Sequence, residues 1–254
     1  MSRVAVIAAL LLLWEAATGG FGASFQIANP ILVARPSSAF AEIGAYAGSG
    51  LLGKDLTTTL VAAFAGLAIG MVSGVLLGVL LGYARPVADA IEPVLVALNS
   101  LPRIALAPVL LLAFGLGIES KIFLAFITVF FVIFFNTYLG VRSVDPELVK
   151  AITVMGGGRS HLARFVVLPS VFSWIFAALR TSVSFALSGA VVGEFVGSTG
   201  GLGYRMVIAA GLLDTNRVYA ILLLLMVVAV TLVEIAKRVE SRLLRWRPSS
   251  ALLQ

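Results

Sequence analysis

Five polar side chains interrupt the long apolar stretches of this sequence and are the residues best placed to contact a solute. Charged and amide groups within a membrane are costly, so they usually face a cavity, a polar partner or a ligand. The two guanidinium groups among them suit an anionic solute such as a sulfonate. In the alternative, structural interpretation, the arginines pair with the glutamate or with backbone carbonyls, or lie at an interface. The five are Asn99, Arg103, Asn136, Arg180 and Glu194.

The sequence lacks the residues that common enzymatic and metal chemistry needs. It has no cysteine and a single histidine, His161, which excludes thiolate chemistry and leaves too few ligands for zinc. The glycine-rich run 197–203 is not followed by the lysine that a phosphate-binding loop requires, so we expect a flexible turn there. We therefore expect no catalytic residue, no metal and no cofactor on this chain.

The composition indicates that the solvent of this chain is a lipid bilayer. Of its 254 residues, 60% are hydrophobic and 12% are charged, and the mean hydropathy is +1.09. A soluble domain is nearer half apolar and a quarter charged. The net charge of +6 does not indicate nucleic acid, because the basic residues sit mostly in short segments between apolar stretches.

About six apolar stretches are long enough to cross a bilayer as helices. We predict an all-α polytopic membrane protein with one domain, 1–254. The first stretch also fits a signal peptide behind Arg3, but we favour an uncleaved anchor. The third is interrupted by Pro102 and Pro108. The predicted spans are residues 4–25, 58–82, 91–114, 122–139, 171–192 and 218–236.

The second stretch carries a glycine at every fourth position. Residues four apart share one face of a helix, and small residues on that face let two helix backbones approach closely in lipid. We predict tight helix packing through Gly66, Gly70, Gly74, Gly78 and Gly82.

Lysine and arginine indicate the orientation, because cytoplasmic segments carry an excess of both. With the N-terminus in the cytoplasm, the outside segments hold only Arg35, Lys54, Lys121, Arg205 and Arg217. An even number of spans returns the C-terminus to the cytoplasm. The predicted inside segments hold Arg3, Arg85, Arg142, Lys150, Arg159, Arg164, Lys237, Arg238, Arg242, Arg245 and Arg247.

The segment 142–169, between the fourth and fifth spans, predicts a short helix, a turn and a second short helical stretch. Asp145 is a suitable helix cap, Pro146 suits the first helical position, and the three glycines 156–158 end the helix. Apolar residues then line one face of the first helix. This face could be covered by the groove of a partner protein, by the membrane surface or by the chain's own helices. This stripe is Leu148, Ala151, Ile152 and Met155.

This segment resembles the EAA loop of binding-protein-dependent ABC importer permeases. That pattern reads Glu-Ala-Ala, three residues, Gly, nine residues and Ile-x-Leu-Pro; here the positions are 150–152, Gly156 and 166–169. Lysine stands where the pattern has glutamate, and isoleucine replaces its second alanine. The resemblance implies that an ATPase subunit docks on Glu147, Leu148, Lys150, Ala151, Ile152, Met155, Gly156, Leu168 and Pro169.

Other segments resemble one branch of the same family. The segments 36–39, 99–108, 136–138 with 142–147, and 200–204 are similar to its nitrate, sulfonate and taurine permeases, a branch that includes transporters of thiamine precursors. The resemblance implies an inner-membrane homodimer that forms the path for a small, possibly anionic solute. A P-loop ATPase subunit binds ATP and Mg²⁺, and an extracytoplasmic binding protein delivers the solute. The alternative function is a stand-alone secondary transporter or channel.

Overall fold

The computed structural model describes residues 3–19 and 32–243, and in that part every regular element is helical. The all-α prediction is confirmed. In chain order the elements are α1 Arg3–Ala17, α2 Pro36–Gly48, α3 Leu51–Tyr83, α4 Arg85–Asn99, α5 Arg103–Phe114, α6 Ile118–Arg142, α7 Pro146–Val154, α8 Arg159–Leu162, a π-helical turn Ala163–Val167, α9 Leu168–Val196, α10 Leu202–Gly211 and α11 Thr215–Leu243.

Four helices of the described chain are long and apolar enough to cross a membrane, and α4 with α5 makes a fifth if the two form one span. The four are α3, α6, the continuous helix Ser160–Val196 and α11. Helix α1 is shorter, and residues 20–25 of the first predicted span lie outside the described residues, as do Arg245 and Arg247 of the basic tail. The fold is therefore polytopic, while the count of six spans stays a prediction.

The glycine stripe of α3 packs directly on α6, as the sequence predicts. A Cβ atom added to Gly66 would lie 2.5 Å from the Cβ of Ala125, and one added to Gly78 would lie 2.7 Å from the Cβ of Thr137. Both helices advance four residues from one contact to the next, so they run parallel with their backbones in close approach. The contacts are Gly66–Ala125, Gly70–Val129, Gly74–Ile133, Gly78–Thr137 and Gly82–Val141.

Helix α9 completes the core by packing antiparallel to α6. A Cβ added to Gly189 would lie 2.8 Å from the Cα of Ala125, whereas one added to Gly140 would lie 2.9 Å from the indole of Trp174. This three-helix core has two ends. We call the end where α6 finishes and α9 starts the α7 end, and the opposite end, where α3 and α6 start, the α10 end.

The third predicted span is not one straight helix. Helix α4 ends at Asn99, α5 begins at Arg103, and the two are bent by 89°. Pro102 accounts for the break, because proline has no amide hydrogen and the residue before it is driven out of the helical conformation. Pro108, in contrast, lies inside α5.

The second short helix predicted for the loop is not separate from the fifth span. The chain is helical without interruption from Ser160 to Val196, with the π-helical turn immediately before α9. Pro169 lies in the first turn of α9 and cannot donate a backbone hydrogen bond, and a wider turn is one way for a helix to accommodate this. The fifth span therefore starts before residue 171 and includes Leu168 and Pro169.

Candidate functional site

Helix α7 begins and ends as the sequence predicts. The Asp145 side chain accepts a hydrogen bond of 2.8 Å from the backbone amide of Glu147, which satisfies one free donor of the first turn. Gly156 has a φ of +80°, a conformation that glycine adopts without steric cost. Lys150 Nζ lies 2.9 Å from Glu147 Oε1. The lysine at the first EAA position thus has an acidic partner on its own helix.

The apolar face of α7 is largely uncovered. Ile152 alone in the stripe is half-buried, and its Cγ2 would lie 2.6 Å from a Cβ added to Gly157. The exposed fractions are 53% for Leu148 and 85% for Met155, and Ala151 is exposed as well. A stripe that rested on the chain's own helices would be buried. A partner protein or the membrane surface is left to cover it.

Asn99 and Arg103 meet at the break between α4 and α5. Arg103 Nη2 donates a hydrogen bond of 2.9 Å to Asn99 Oδ1, and the guanidinium carbon lies 5.7 Å from the ring centre of Phe185 in α9. Among the described residues, no carboxylate forms an ion pair with Arg103. An arginine without a counter-charge thus occupies a broken helix, the kind of place where transporters bind solutes.

The other three polar candidates lie apart from this break. Asn136 donates a hydrogen bond of 2.8 Å to the carbonyl of Val132, one turn earlier on α6. Arg180 forms an ion pair of 2.7 Å with Glu240 of α11. Glu194 lies at the α10 end. The five candidates do not form one site, and the suggested pairing of an arginine with Glu194 is wrong.

Glu194 belongs to a buried polar cluster at the α10 end, where it holds the loop before α10 against α3. Its Oε1 accepts a hydrogen bond of 2.8 Å from the hydroxyl of Thr59, and its Oε2 accepts one of 2.7 Å from the amide of Gly203. The Thr59 hydroxyl in turn accepts a bond of 2.9 Å from the amide of Leu202. Glu194 is only 1% exposed.

Asp55 forms the second half of the same cluster. This carboxylate, 3% exposed, accepts hydrogen bonds from the Gly201 amide at 2.9 Å, the Tyr46 hydroxyl at 2.6 Å and Arg205 Nε at 2.7 Å. Burial, together with the bond to Asp55, raises the pKa of Tyr46, and the bond to Asp55 raises the pKa of Arg205. We call Tyr46, Asp55, Thr59, Glu194 and Arg205 the carboxylate cluster.

The loop before α10 is therefore not the flexible turn that its glycines predict. Three consecutive backbone amides, those of residues 201–203, are bound by the carboxylate cluster. Gly201 has a φ of +108°, which only glycine adopts readily. Sequence reasoning singled out Glu194 but missed Asp55 and Thr59. The available signal was an acidic residue just before the second predicted span.

We predict that Glu194→Gln loosens this loop without unfolding the protein. The amide group of glutamine cannot accept from both Thr59 and Gly203, so one buried donor loses its partner at a cost of about 1–3 kcal/mol. Hydrogen exchange at residues 201–203 should accelerate roughly ten- to hundredfold. Glu240→Gln removes a carboxylate of α11 that pairs with Arg180 and not with this loop, and it should leave this exchange unchanged. Equal exchange in both variants contradicts the prediction.

This chain is similar to known membrane transport proteins, in agreement with the fold described above. The family model for the binding-protein-dependent transport system inner membrane component matches residues 70–245. A riboflavin transport system permease protein of Chloroflexus aurantiacus is 38% identical over 94% of this chain and 88% of its own. A formylaminopyrimidine transport permease protein of Halalkalibacterium halodurans is 31% identical over 94% of this chain and 92% of its own. More distant relatives are named for aliphatic sulfonates and for taurine.

Solved structures share the fold. An inward-facing structure of the MetNI methionine ABC transporter contains a chain with a TM-score of 0.66, which is 21% identical to this chain. The match covers 76% of this chain and 96% of that one.

Proposed function

The chain belongs to the binding-protein-dependent transport system inner membrane components, the permease subunits of ABC importers, and we propose that two copies form the path of a flat heteroaromatic solute. It is a multi-pass inner-membrane protein and not itself an enzyme. Its family works with an ATPase subunit and a solute-binding protein. A stand-alone transporter or channel, the alternative from the sequence, is not the function of this family.

The break between α4 and α5 carries the proposal for the path. A charged side chain within a span faces a cavity or a partner rather than lipid, and Arg103 has no counter-charge among the described residues. The helix that follows it is open on one side: Ile104, next to Arg103, is 62% exposed and Leu112, further along α5, is 88% exposed. A second copy packed across this bent pair would enclose a cavity with Arg103 in its wall.

The ATPase subunit docks, in this proposal, on the uncovered face of α7. The α7 end then lies in the cytoplasm, both chain termini lie on that side, and the α10 end faces outside. ATP and Mg²⁺ bind to the partner subunit. An apolar helix face that fits a partner's groove is a recurrent mode of recognition, and the exposure of Leu148 and Met155 supports it over self-packing.

The heteroaromatic class of solute is supported by the relatives and by the break itself. Of the relatives compared above, the two with the highest identity are named for riboflavin and for formylaminopyrimidine transport. Both are flat ring systems, and a guanidinium group stacks on such rings as well as donating hydrogen bonds to their carbonyl and ring nitrogen atoms. Phe185, whose ring centre lies 5.7 Å from the guanidinium carbon of Arg103, adds an aromatic ring to this place.

A sulfonate is the second candidate, and the missing counter-charge of Arg103 favours it. A sulfonate would supply that charge through bidentate hydrogen bonds. Uptake of labelled riboflavin and labelled taurine into cells that express the complete importer separates the two classes. Riboflavin uptake that depends on this chain supports the first, and taurine uptake supports the second.

We predict that Arg103→Gln lowers uptake of the transported solute by about tenfold or more. Loss of a hydrogen bond to a charged group costs about 1.5–3 kcal/mol. Arg180→Gln is the matched control, because Arg180 is satisfied by Glu240 and should change uptake little at equal amounts of folded protein. Both uptake and the amount of folded protein in the membrane are measured. A larger loss of uptake in Arg180→Gln than in Arg103→Gln contradicts the assignment.

A further inference from the structure

A cavity of about 400 Å³ opens at the α10 end, beside the carboxylate cluster but separate from the break. Its wall is formed by the first turns of α3 and α6 and by the loop before α10. The polar side chains in this wall are Lys54, Asp55, Thr58, Lys121, Ser198, Thr199 and Arg205.

The charges in this wall do not balance. Arg205 and Asp55 lie 2.7 Å apart and neutralise each other. Lys54 and Lys121 remain, and within the described chain neither forms an ion pair. The cavity wall therefore carries two ammonium groups with which no described carboxylate forms an ion pair.

Lys121 is the stronger of the two observations, because it is only 2% exposed. Its Nζ donates to the carbonyls of Leu116 and Gly117 at 2.5 and 2.6 Å. An ammonium group has three donors, so one is left over. The carboxylates of Glu194 and Glu119 attract it, but neither forms an ion pair with it. Both oxygens of Glu194 are already bound by Thr59 and Gly203.

Two helix N-termini add to this positive potential. Leu51 and Ile118, the first residues of α3 and α6, both line the cavity. Their N-caps are Gly50 and Gly117, which have no side chain; the Leu51 amide donates to Ser49 Oγ at 3.3 Å, and Glu119 lies in the first turn of α6. The remaining amides of these first turns and the helix dipole favour an anion. Thr199 is exposed at the rim and offers a hydroxyl donor.

We propose that this cavity binds a small oxyanion, such as a sulfate ion or the sulfonate or carboxylate group of an organic solute. Lys54, Lys121 and Thr199 donate to its oxygens, and the amides at the starts of α3 and α6 supplement them. Under the proposed topology the site is open to the outside. It requires neither the flat solute nor the path assigned above.

The test is calorimetric titration of the complete importer, purified in lipid nanodiscs of phosphatidylcholine, with sodium sulfate and with sodium ethanesulfonate at constant ionic strength. We expect saturable binding that Lys54→Gln and Thr199→Val each weaken, Lys54→Gln by about tenfold or more. Lys237→Gln changes an exposed lysine in the last third of α11; it is the control and should bind as the unaltered protein does. If the Lys121→Met protein folds, it should also bind the anions more weakly. If it does not fold, the Lys54→Gln protein alone tests the site.

Equal binding of the two salts indicates a site for free anions, and preference for ethanesulfonate indicates one for the anionic group of a solute. Both results support the oxyanion site. Absence of saturable binding, or equal affinities in Lys54→Gln and Lys237→Gln, overturns it. Because uptake through Arg103 is measured separately, failure here leaves the proposed path intact.

Discussion

Alanine at Gly66 should destabilise the purified protein, whereas alanine at Gly53, in the same helix, should not. The Cβ added at Gly66 would lie 2.5 Å from the Cβ of Ala125 and 2.8 Å from the backbone oxygen of Ile122. Backbone cannot move aside as a flexible side chain does, so α3 and α6 must separate along the stripe. Overpacking of this kind typically costs about 1–3 kcal/mol.

Gly53 is the matched control, because an added Cβ there meets nothing within 4 Å. Alanine is preferred to glycine in a helix by about 1 kcal/mol, so Gly53→Ala should leave the melting temperature unchanged or raise it. The measurement is thermal unfolding of both variants in the same detergent. A Gly66→Ala protein as stable as the unaltered one shows that α3 and α6 do not approach this closely.

Acidic substitution of the uncovered face of α7 should abolish coupling to the ATPase. In the variant Leu148→Asp with Met155→Asp, two carboxylates replace apolar side chains that the proposal buries in a partner's groove. Burial of an unpaired carboxylate costs several kcal/mol, so recovery of the ATPase with the tagged permease should fall on the order of a hundredfold or more. Pull-down from membranes, quantified by mass spectrometry, measures this directly.

Thr153→Asp is the control for this experiment, because two residues of helix rotate Thr153 to the side of α7 opposite Met155. It adds an acid to the same exposed helix and should retain the ATPase.

Gly156→Pro tests the shape of the loop rather than its face, since proline fixes φ near −65° where the chain has +80°. We expect the Gly156→Pro protein to insert into the membrane but to lose ATP-driven uptake of the solute. Retention of the ATPase by the doubly acidic variant would remove the docking role from α7.

Local patterns determined much of what the sequence predicted correctly. The cap at Asp145 and the turn at Gly156 depend on residues within one helical turn, so no tertiary information is needed to find them. The glycine stripe of α3 is equally local, because a period of four puts small residues on one face whatever that face contacts. The family resemblance likewise rests on contiguous motifs, and the family match is independent of the fold.

Contacts between distant segments decided the rest. Pro102 marked a weak point in the third span, but only the structure shows that α4 and α5 bend by 89° there, since a proline in a membrane helix is compatible with a mild kink or a full break. The same limit applies to Arg180. Its partner Glu240 lies 60 residues away, and the sequence offered Glu194 equally well.

The sequence by itself determined that this chain is an all-helical membrane permease, because hydropathy, glycine period and loop motifs are properties of short segments. Only the tertiary structure decided which polar groups are satisfied. Glu194 and Asp55 hold a loop that its glycines alone predict to be flexible, and no described carboxylate forms an ion pair with Arg103 or Lys121. Such pairing depends on side chains 100 or more residues apart meeting within about 3 Å, as Thr59 and Glu194 do at 2.8 Å, and no local pattern encodes that distance.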